Sequence, residues 1–252
     1  MVPDERPEAW TFGRCAVVGK GRVGHALVRT LPWLEGPYGR GFDVDGFDVV
    51  VLAVPDDEIA RTTSTIPVGP VVGHCAGSLG VSVLAPHEGF GLHPLMTVTR
   101  EGANFAGAGA AVSGSTPRAL AIARTLAVAC RMIPVEIDDV DRAAYHAAAS
   151  IASNFLVTLE DAAEVMLRTT GADRSVLVPL IRATLANWES LGAAALTGPI
   201  ARGDKATVAR QRAAVSERAP ELIAMFDALC ERTRTIADQA MAASRVSTDG
   251  AK

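Results

Sequence analysis

Cysteine is scarce in this chain and scattered: Cys15, Cys75, Cys130 and Cys230 lie far apart, and no C-x-x-C pair occurs. Such spacing offers no disulfide framework and predicts buried free thiols in a reducing, cytoplasmic setting. No cluster of His, Cys and Asp has metal-ligand spacing, so no metal is expected. Basic residues do not outnumber acidic ones: 24 Lys and Arg stand against 28 Asp and Glu, a net charge of −4. No basic field results, so neither nucleic acid nor a membrane surface is an expected partner. No apolar run reaches the roughly 18 residues of a membrane span. The first ten residues, with Pro3, Asp4, Glu5 and Glu8, hold no apolar h-region, so no signal peptide is expected. Internal repeats, low-complexity tracts, a G-x-S-x-G elbow and a Cys–His nucleophile motif are also missing.

What is present in quantity is apolar surface. At 49% of 252 residues it supports a sizeable core, in one large domain or two modest ones, and argues against wholesale disorder. The ends, about 1–11 and 244–252, read as loose tails. The stretch from Cys15 to Leu27 organises the rest. Ala16-Val-Val18 reads as a buried strand, and Gly19, Gly21 and Gly24 fill the three places of G-x-G-x-x-G. The first glycine permits a tight turn, the second a close backbone approach by a pyrophosphate, the third close packing of helix on strand. The helix beginning at Arg22 and Val23 offers unpaired N–H groups to an anion. The alternative is a glycine-rich turn that binds nothing.

Further strands are expected at Leu31–Glu35 (short, followed by a tight loop to Gly41), Asp48–Pro55, Pro70–Cys75, Phe90–Leu95, Ala110–Ser113 and Arg131–Ile137. Helices fall between them: Asp56-Asp-Glu58 opens one, and Ser115-Thr-Pro-Arg118 another, with proline in its first turn. Alternating strands and helices imply a doubly wound parallel sheet. From Asp138 the composition turns to alanine, leucine and arginine with no strand signal. Asp139 to Thr169 reads as one helix stopped by Gly171, with further helices at 173–190, 203–214 and 217–242. The expected fold is therefore α/β: a Rossmann domain over 12–137, then an all-α domain over 138–243.

The order of motifs resembles the Rossmann-like oxidoreductases of unknown function whose helical C-terminal domain is like that of 6-phosphogluconate dehydrogenase. Gly19-Lys-Gly-Arg-Val-Gly24, Leu52-Ala-Val-Pro-Asp-Asp57, His74-Cys-Ala-Gly-Ser78, Leu92-His-Pro-Leu95, Tyr145-His-Ala-Ala-Ala149 with Ser153-Asn154, and Leu196 to Asp204 carry it. The last two are specific to that group. More distantly the chain is similar to pyrroline-5-carboxylate reductase, ketopantoate reductase and prephenate dehydrogenase. The resemblance implies a nicotinamide cofactor, a small-molecule substrate and a homodimer formed through the helical domain. It implies no particular substrate; a ketopantoate-like acid is one guess.

An NAD site places an acid about 20 residues after the first glycine, for the ribose hydroxyls. Here that position falls at Gly39 and Arg40, with Glu35 early and Asp43 and Asp45 late. Arginine suits a 2′-phosphate, so NADP is expected over NAD; the alternative is a solvated Arg40 in a weakened site. Ala53, Val54 and Pro55 end the third strand beside the nicotinamide half. His74 and Ser78 flank the next strand's loop, where they touch cofactor or serve packing. His93, before Pro94, lies at the carboxyl edge of the sheet, and prephenate dehydrogenases carry a similar His-Pro at their active site. His93 either moves a proton near neutral pH or hydrogen-bonds backbone in a buried turn. His146, Ser150 and Asn154, at i, i+4 and i+8, drift by only about 80° on an α-helix and share one face. In the similar families this helix supplies Lys and Asn; here His146 stands in place of the Lys. The stripe either serves function, with His146 as an alternative to His93 for the proton and Asn154 orienting the substrate, or forms a buried structural hydrogen-bond network. Asn187 and Arg202 are further candidate substrate contacts, Arg202 holding a carboxylate or forming a structural ion pair with a nearby acid. Two functions fit: hydride transfer between NADP and a small carbonyl, hydroxyl or imine carbon, or nucleotide sensing without catalysis on the same fold.

Overall fold

The computed structural model describes residues 6–39 and 41–249. Strands form where the chain is apolar without interruption. β1 (Cys15–Val18) and β3 (Val49–Leu52) are buried at every residue, as strands covered on both faces must be. Between them lie helix α1 (Arg22–Thr30) and the edge strand β2 (Glu35–Tyr38). Then follow α2 (Asp56–Thr63), β4 (Val71–His74), β5 (Gly89–Pro94), β6 (Gly109–Gly114), α3 (Pro117–Ala129) and β7 (Ile133–Glu136). The seven strands form one sheet in the order β2-β1-β3-β4-β5-β6-β7. β1 to β5 run parallel, whereas β6 lies antiparallel to β5 and β7 parallel to β6. The reversal follows from the 95–108 connection, which contains no crossover helix among its residues. The expected α/β architecture therefore stands, with two reversed strands at one end.

One face of the sheet packs under α1 and α3 through Val17, Val51, Phe90, Leu92 and Val112; the other packs under α2 through Val18, Val50, Leu52 and Val72. Thr116 caps α3, its hydroxyl accepting the Ala119 N–H at 3.1 Å, with Pro117 at the first helical position.

The second strand is displaced from its expected place. Leu31 and Leu34 are buried as α1 ends, and pairing with β1 begins only at Glu35, Ala16 opposite Glu35 and Val18 opposite Tyr38. Pro37 is accommodated because β2 is an edge strand, which needs no N–H on its outer side.

After a 3₁₀ turn at Asp139–Asp141 come α4 (Arg142–Ser150), a π turn (Ile151–Phe155) and α5 (Leu156–Arg168), so the long helix expected over 139–169 is broken. α6 (Val178–Leu191), α7 (Gly198–Ala201), α8 (Lys205–Arg218) and α9 (Ile223–Asp249) complete the chain. By contacts the chain divides into two compact units, 1–154 and 155–252, so α4 groups with the sheet although the composition changes at Asp138. In the second unit α8 and α9 are tied by a two-pronged Arg212–Asp227 pair at 2.8 and 2.7 Å, and Asp204 caps α8 through the Thr207 N–H. Among the described residues, no helix is long and apolar enough to cross a membrane.

Candidate active site

At the carboxyl end of β1 the chain turns through Gly19, which has φ +124°. Its N–H donates to the Tyr38 carbonyl at 2.9 Å, and the Ala53 N–H donates to the Val18 carbonyl at 2.7 Å, so the ends of β1, β2 and β3 are stitched together. The three glycines are not equivalent. A Cβ on Gly19 would run into the Ala53 carbonyl, and one on Gly24 into the Gly19 carbonyl oxygen. Close approach of the chain to itself accounts for both. Gly21 has an ordinary φ of −79°, and its nearest neighbour would be the Ala53 oxygen at 3.7 Å. The fold does not require a glycine there; its bare backbone fits an external group coming close. No side chain caps α1, so the N–H groups at Arg22 and Val23 remain open to an anion. Arg40 lies outside the described residues.

Ala53, Val54 and Pro55 lead from β3 into α2 beside this loop. Ser78 donates to Asp56 Oδ2 at 3.2 Å, tying the loop after β4 to the start of α2. His74, expected beside the cofactor, has no exposed surface. Its Nδ1 accepts the Ala76 N–H at 3.2 Å, which leaves Nε2 to donate to the Gly80 carbonyl at 3.3 Å. Both nitrogens are spent on shaping the loop 75–80, and burial holds its pKa below the usual histidine range.

Register then explains the rest. His74, Gly91 and Ser113 sit opposite one another on β4, β5 and β6, and His93 lies two residues along β5 on the same face. Arg142, Tyr145 and His146, at i, i+3 and i+4 on α4, cover that face. His93 Nδ1 is 2.9 Å from the Tyr145 hydroxyl, and the His93 and His146 rings stand edge to face at 6.0 Å. Gly77 makes room for both imidazoles: a Cβ there would lie 2.6 Å from His146 Cδ2 and 2.9 Å from His93 Nε2. Arg142 is 1% exposed and lies against Gly91, its Nη2 donating to Ser113 Oγ at 2.5 Å while Nε and Nη1 have no hydrogen-bond partner among the described residues.

Burial, reinforced by His146 and by the Arg142 charge, pulls the His93 pKa down to about 4. The ring is therefore uncharged at neutral pH, contrary to the expectation that it titrates there. When Tyr145 donates to Nδ1, the neutral ring carries its proton on Nε2, the atom over Gly77; the opposite tautomer would have Nδ1 donate to the Tyr145 oxygen. Burial raises the Tyr145 pKa, and the Arg142 charge opposes that rise.

Residues 108–233, half of the chain, match the family model described as a domain of unknown function, DUF2520. The chain belongs to the DUF2520 family. No curated protein sequence matches it significantly. Among solved structures, this DUF2520 chain resembles a candidate NADP oxidoreductase from Bacteroides fragilis (16% identity over 88% of this chain and 98% of that one, TM-score 0.76). It also resembles a Thermotoga maritima protein (22% identity, 90% and 99% covered, TM-score 0.76). A third likeness is to a reductive aminase from Aspergillus terreus in complex with NADPH and ethyl-5-oxohexanoate (15% identity, 90% and 98% covered, TM-score 0.64). At these identities the likeness establishes the fold.

The polar stripe of this DUF2520 protein is not carried on one continuous α-helix. Ser150 ends α4, and Asn154 lies in the π turn, where each residue rotates the chain by less than in an α-helix. His146, Ser150 and Asn154 consequently drift apart less than the α period predicts. Asn187, exposed on α6, and Arg202, just after α7, belong to the second unit. There Arg202 lines a cavity of about 680 Å³ with Lys205, Arg212 and Arg234. Sequence reasoning left Arg142, Ser113 and Gly77 unassigned and gave Tyr145 no role. The helical spacing of Arg142, Tyr145 and His146 was the available signal; the glycine and serine carried none.

Proposed function

We propose that this DUF2520 protein is an NADP-linked oxidoreductase acting on a small carbonyl, hydroxyl or imine compound. The observation that carries the reading is Gly21, a glycine the fold itself does not need, at the mouth of an uncapped helix. Gly19, Gly21 and the α1 N–H groups would hold the diphosphate, and Ala53 to Pro55 the nicotinamide half. The likeness to a reductive aminase that binds NADPH and a keto ester supports the same class. When bound, the cofactor supplies or takes the hydride. His93 Nε2 gives the accompanying proton to the substrate oxygen or nitrogen, and Tyr145 passes its hydroxyl proton to Nδ1. The negative charge then rests on Tyr145, near the Arg142 guanidinium, until solvent returns a proton. His146, Ser150 and Asn154 orient the substrate.

Calorimetric titration with NADPH is the test. Gly21→Ala is expected to leave thermal stability within about 0.5 kcal/mol of wild type, as for an open site, and to weaken NADPH at least about tenfold, since one unfavourable approach of about 1.4 kcal/mol suffices. Unchanged affinity would remove the diphosphate from this loop. Binding of NADPH without its consumption by a carbonyl and imine panel would assign nucleotide sensing instead.

The helical unit is read as the dimerisation domain and the setting as the cytoplasm. The four thiols are unpaired, in keeping with a reducing compartment. α5 and α6 expose Val157, Leu180 and Trp188 at 68, 64 and 65%, while few side chains of the second unit are fully buried. A second copy of the chain covering this face would supply the missing core. Light scattering is expected to give a dimer for wild type and a monomer for Leu180→Asp/Trp188→Glu; a wild-type monomer would discard the pairing.

A further inference from the structure

We infer that Lys20, the residue between the first two glycines, reads the 2′-phosphate of NADP. The inference rests on the dinucleotide reading above and adds the determinant of cofactor choice. In such folds the choice is made at the end of the second strand, where an acid holds the ribose hydroxyls of NAD. β2 ends at Tyr38, and Gly39 follows without a side chain.

Every described acid around that edge is engaged elsewhere. Glu35 takes both prongs of Arg14, at 3.0 and 2.8 Å. Asp43 accepts the Asp45 N–H and Asp45 the Gly46 N–H, each at 3.0 Å, and Asp48 accepts the Arg14 N–H at 2.8 Å. A cation occupies the place instead. Because Val18 pairs with Tyr38, the ends of β1 and β2 are level, and the chain leaving Gly19 brings Lys20 across to Gly39. A Cβ built on Gly39 would lie 3.8 Å from Lys20 Cε and 4.0 Å from Nζ. Lys20 is exposed and joins no ion pair among the described residues.

An ammonium with three donors, standing over bare backbone where an acid would otherwise sit, suits a phosphate dianion and gives NAD nothing in exchange. Gly39 adds no side chain between the ammonium and the β2 end; a Cβ there would only touch the Lys20 side chain at ordinary contact distance. The charge is carried by the glycine loop and not by β2 (Glu35–Tyr38), whose residues include no cation.

The experiment is titration of the full chain with NADPH, NADH, 2′,5′-ADP and 5′-ADP in low-salt buffer, for wild type, Lys20→Ala and Lys20→Arg. Lys20→Ala is expected to weaken NADPH and 2′,5′-ADP by about tenfold or more, the scale of one charge-assisted bond, and to leave NADH and 5′-ADP within about twofold. Lys20→Arg is expected to retain the preference. Equal weakening of phosphorylated and unphosphorylated ligands, or no weakening of NADPH, overturns the role of Lys20 while leaving the dinucleotide site in place. Wild-type protein that binds none of the four overturns both.

Discussion

His93→Gln is expected to cut turnover of a carbonyl or imine substrate by about 10²-fold or more, the usual worth of a positioned proton donor, and to leave NADPH affinity within about twofold. Glutamine keeps a polar group near Tyr145 but cannot pass a proton from one ring nitrogen to the other. Tyr145→Phe is expected to act in the same direction, because the proposed relay replenishes Nδ1 from the Tyr145 hydroxyl, 2.9 Å away. Full activity in either variant would end the relay.

A second readout of the same substitution does not depend on activity. The His93 pKa is about 4 in the folded chain and about 6.5 when unfolded. Below pH 6.5 the unfolded chain takes up a proton that the folded chain refuses, so stability falls as pH drops. The loss runs between about pH 6.5 and pH 4 and totals on the order of 3 kcal/mol. His74, also buried and shifted down, acts with the same sign. His93→Gln should therefore make the acid limb of a plot of Tm against pH shallower without flattening it. Parallel limbs for variant and wild type would mean that His93 is not held neutral.

Gly24→Ala is expected to destabilise the sheet unit by about 3 kcal/mol, at the upper end for overpacking. Alanine improves helix propensity by about 1 kcal/mol, but its methyl would overlap the Gly19 carbonyl oxygen. That oxygen cannot swing aside as a side-chain tip would. Gly19 is pinned through its N–H to Tyr38 and abuts the Ala53 carbonyl. The clash thus outweighs the propensity gain. A Tm lower by about 6–12 °C is expected for a unit of this size, against no change for Gly21→Ala three residues earlier. Equal Tm values for the two variants would show that the loop relaxes and that the distinction between the glycines is unfounded.

Much of the first unit was legible because it is local. The continuous run in β3, Thr116 before Pro117, and the glycines after β1 each state their conformation within a few residues. The same holds for Asp204 as the cap of α8. The second strand was misplaced because Leu31 and Leu34 look like strand residues, yet they are buried in the turn that leaves α1, and pairing with β1 begins at Glu35. The break in the long helix was hidden because an alanine-rich segment has no local signal that separates an α from a π turn.

The sequence by itself determined the glycine loop after β1, the alternation that yields a sheet with helices on both faces, and the helical character of the described residues past Asp138. These depend on backbone freedom and apolar period, which neighbouring residues set. Only the tertiary structure decided how His74 and His93 are held. Nothing near His74 in the chain reveals that both its nitrogens are used by a loop, and nothing near His93 reveals Tyr145, 52 residues away. The order of the strands, the register between them and the placing of α4 over β5 bring those groups together, and burial then sets their charge. Those are long-range properties: each residue's role there is set by partners that the chain supplies from far along its length.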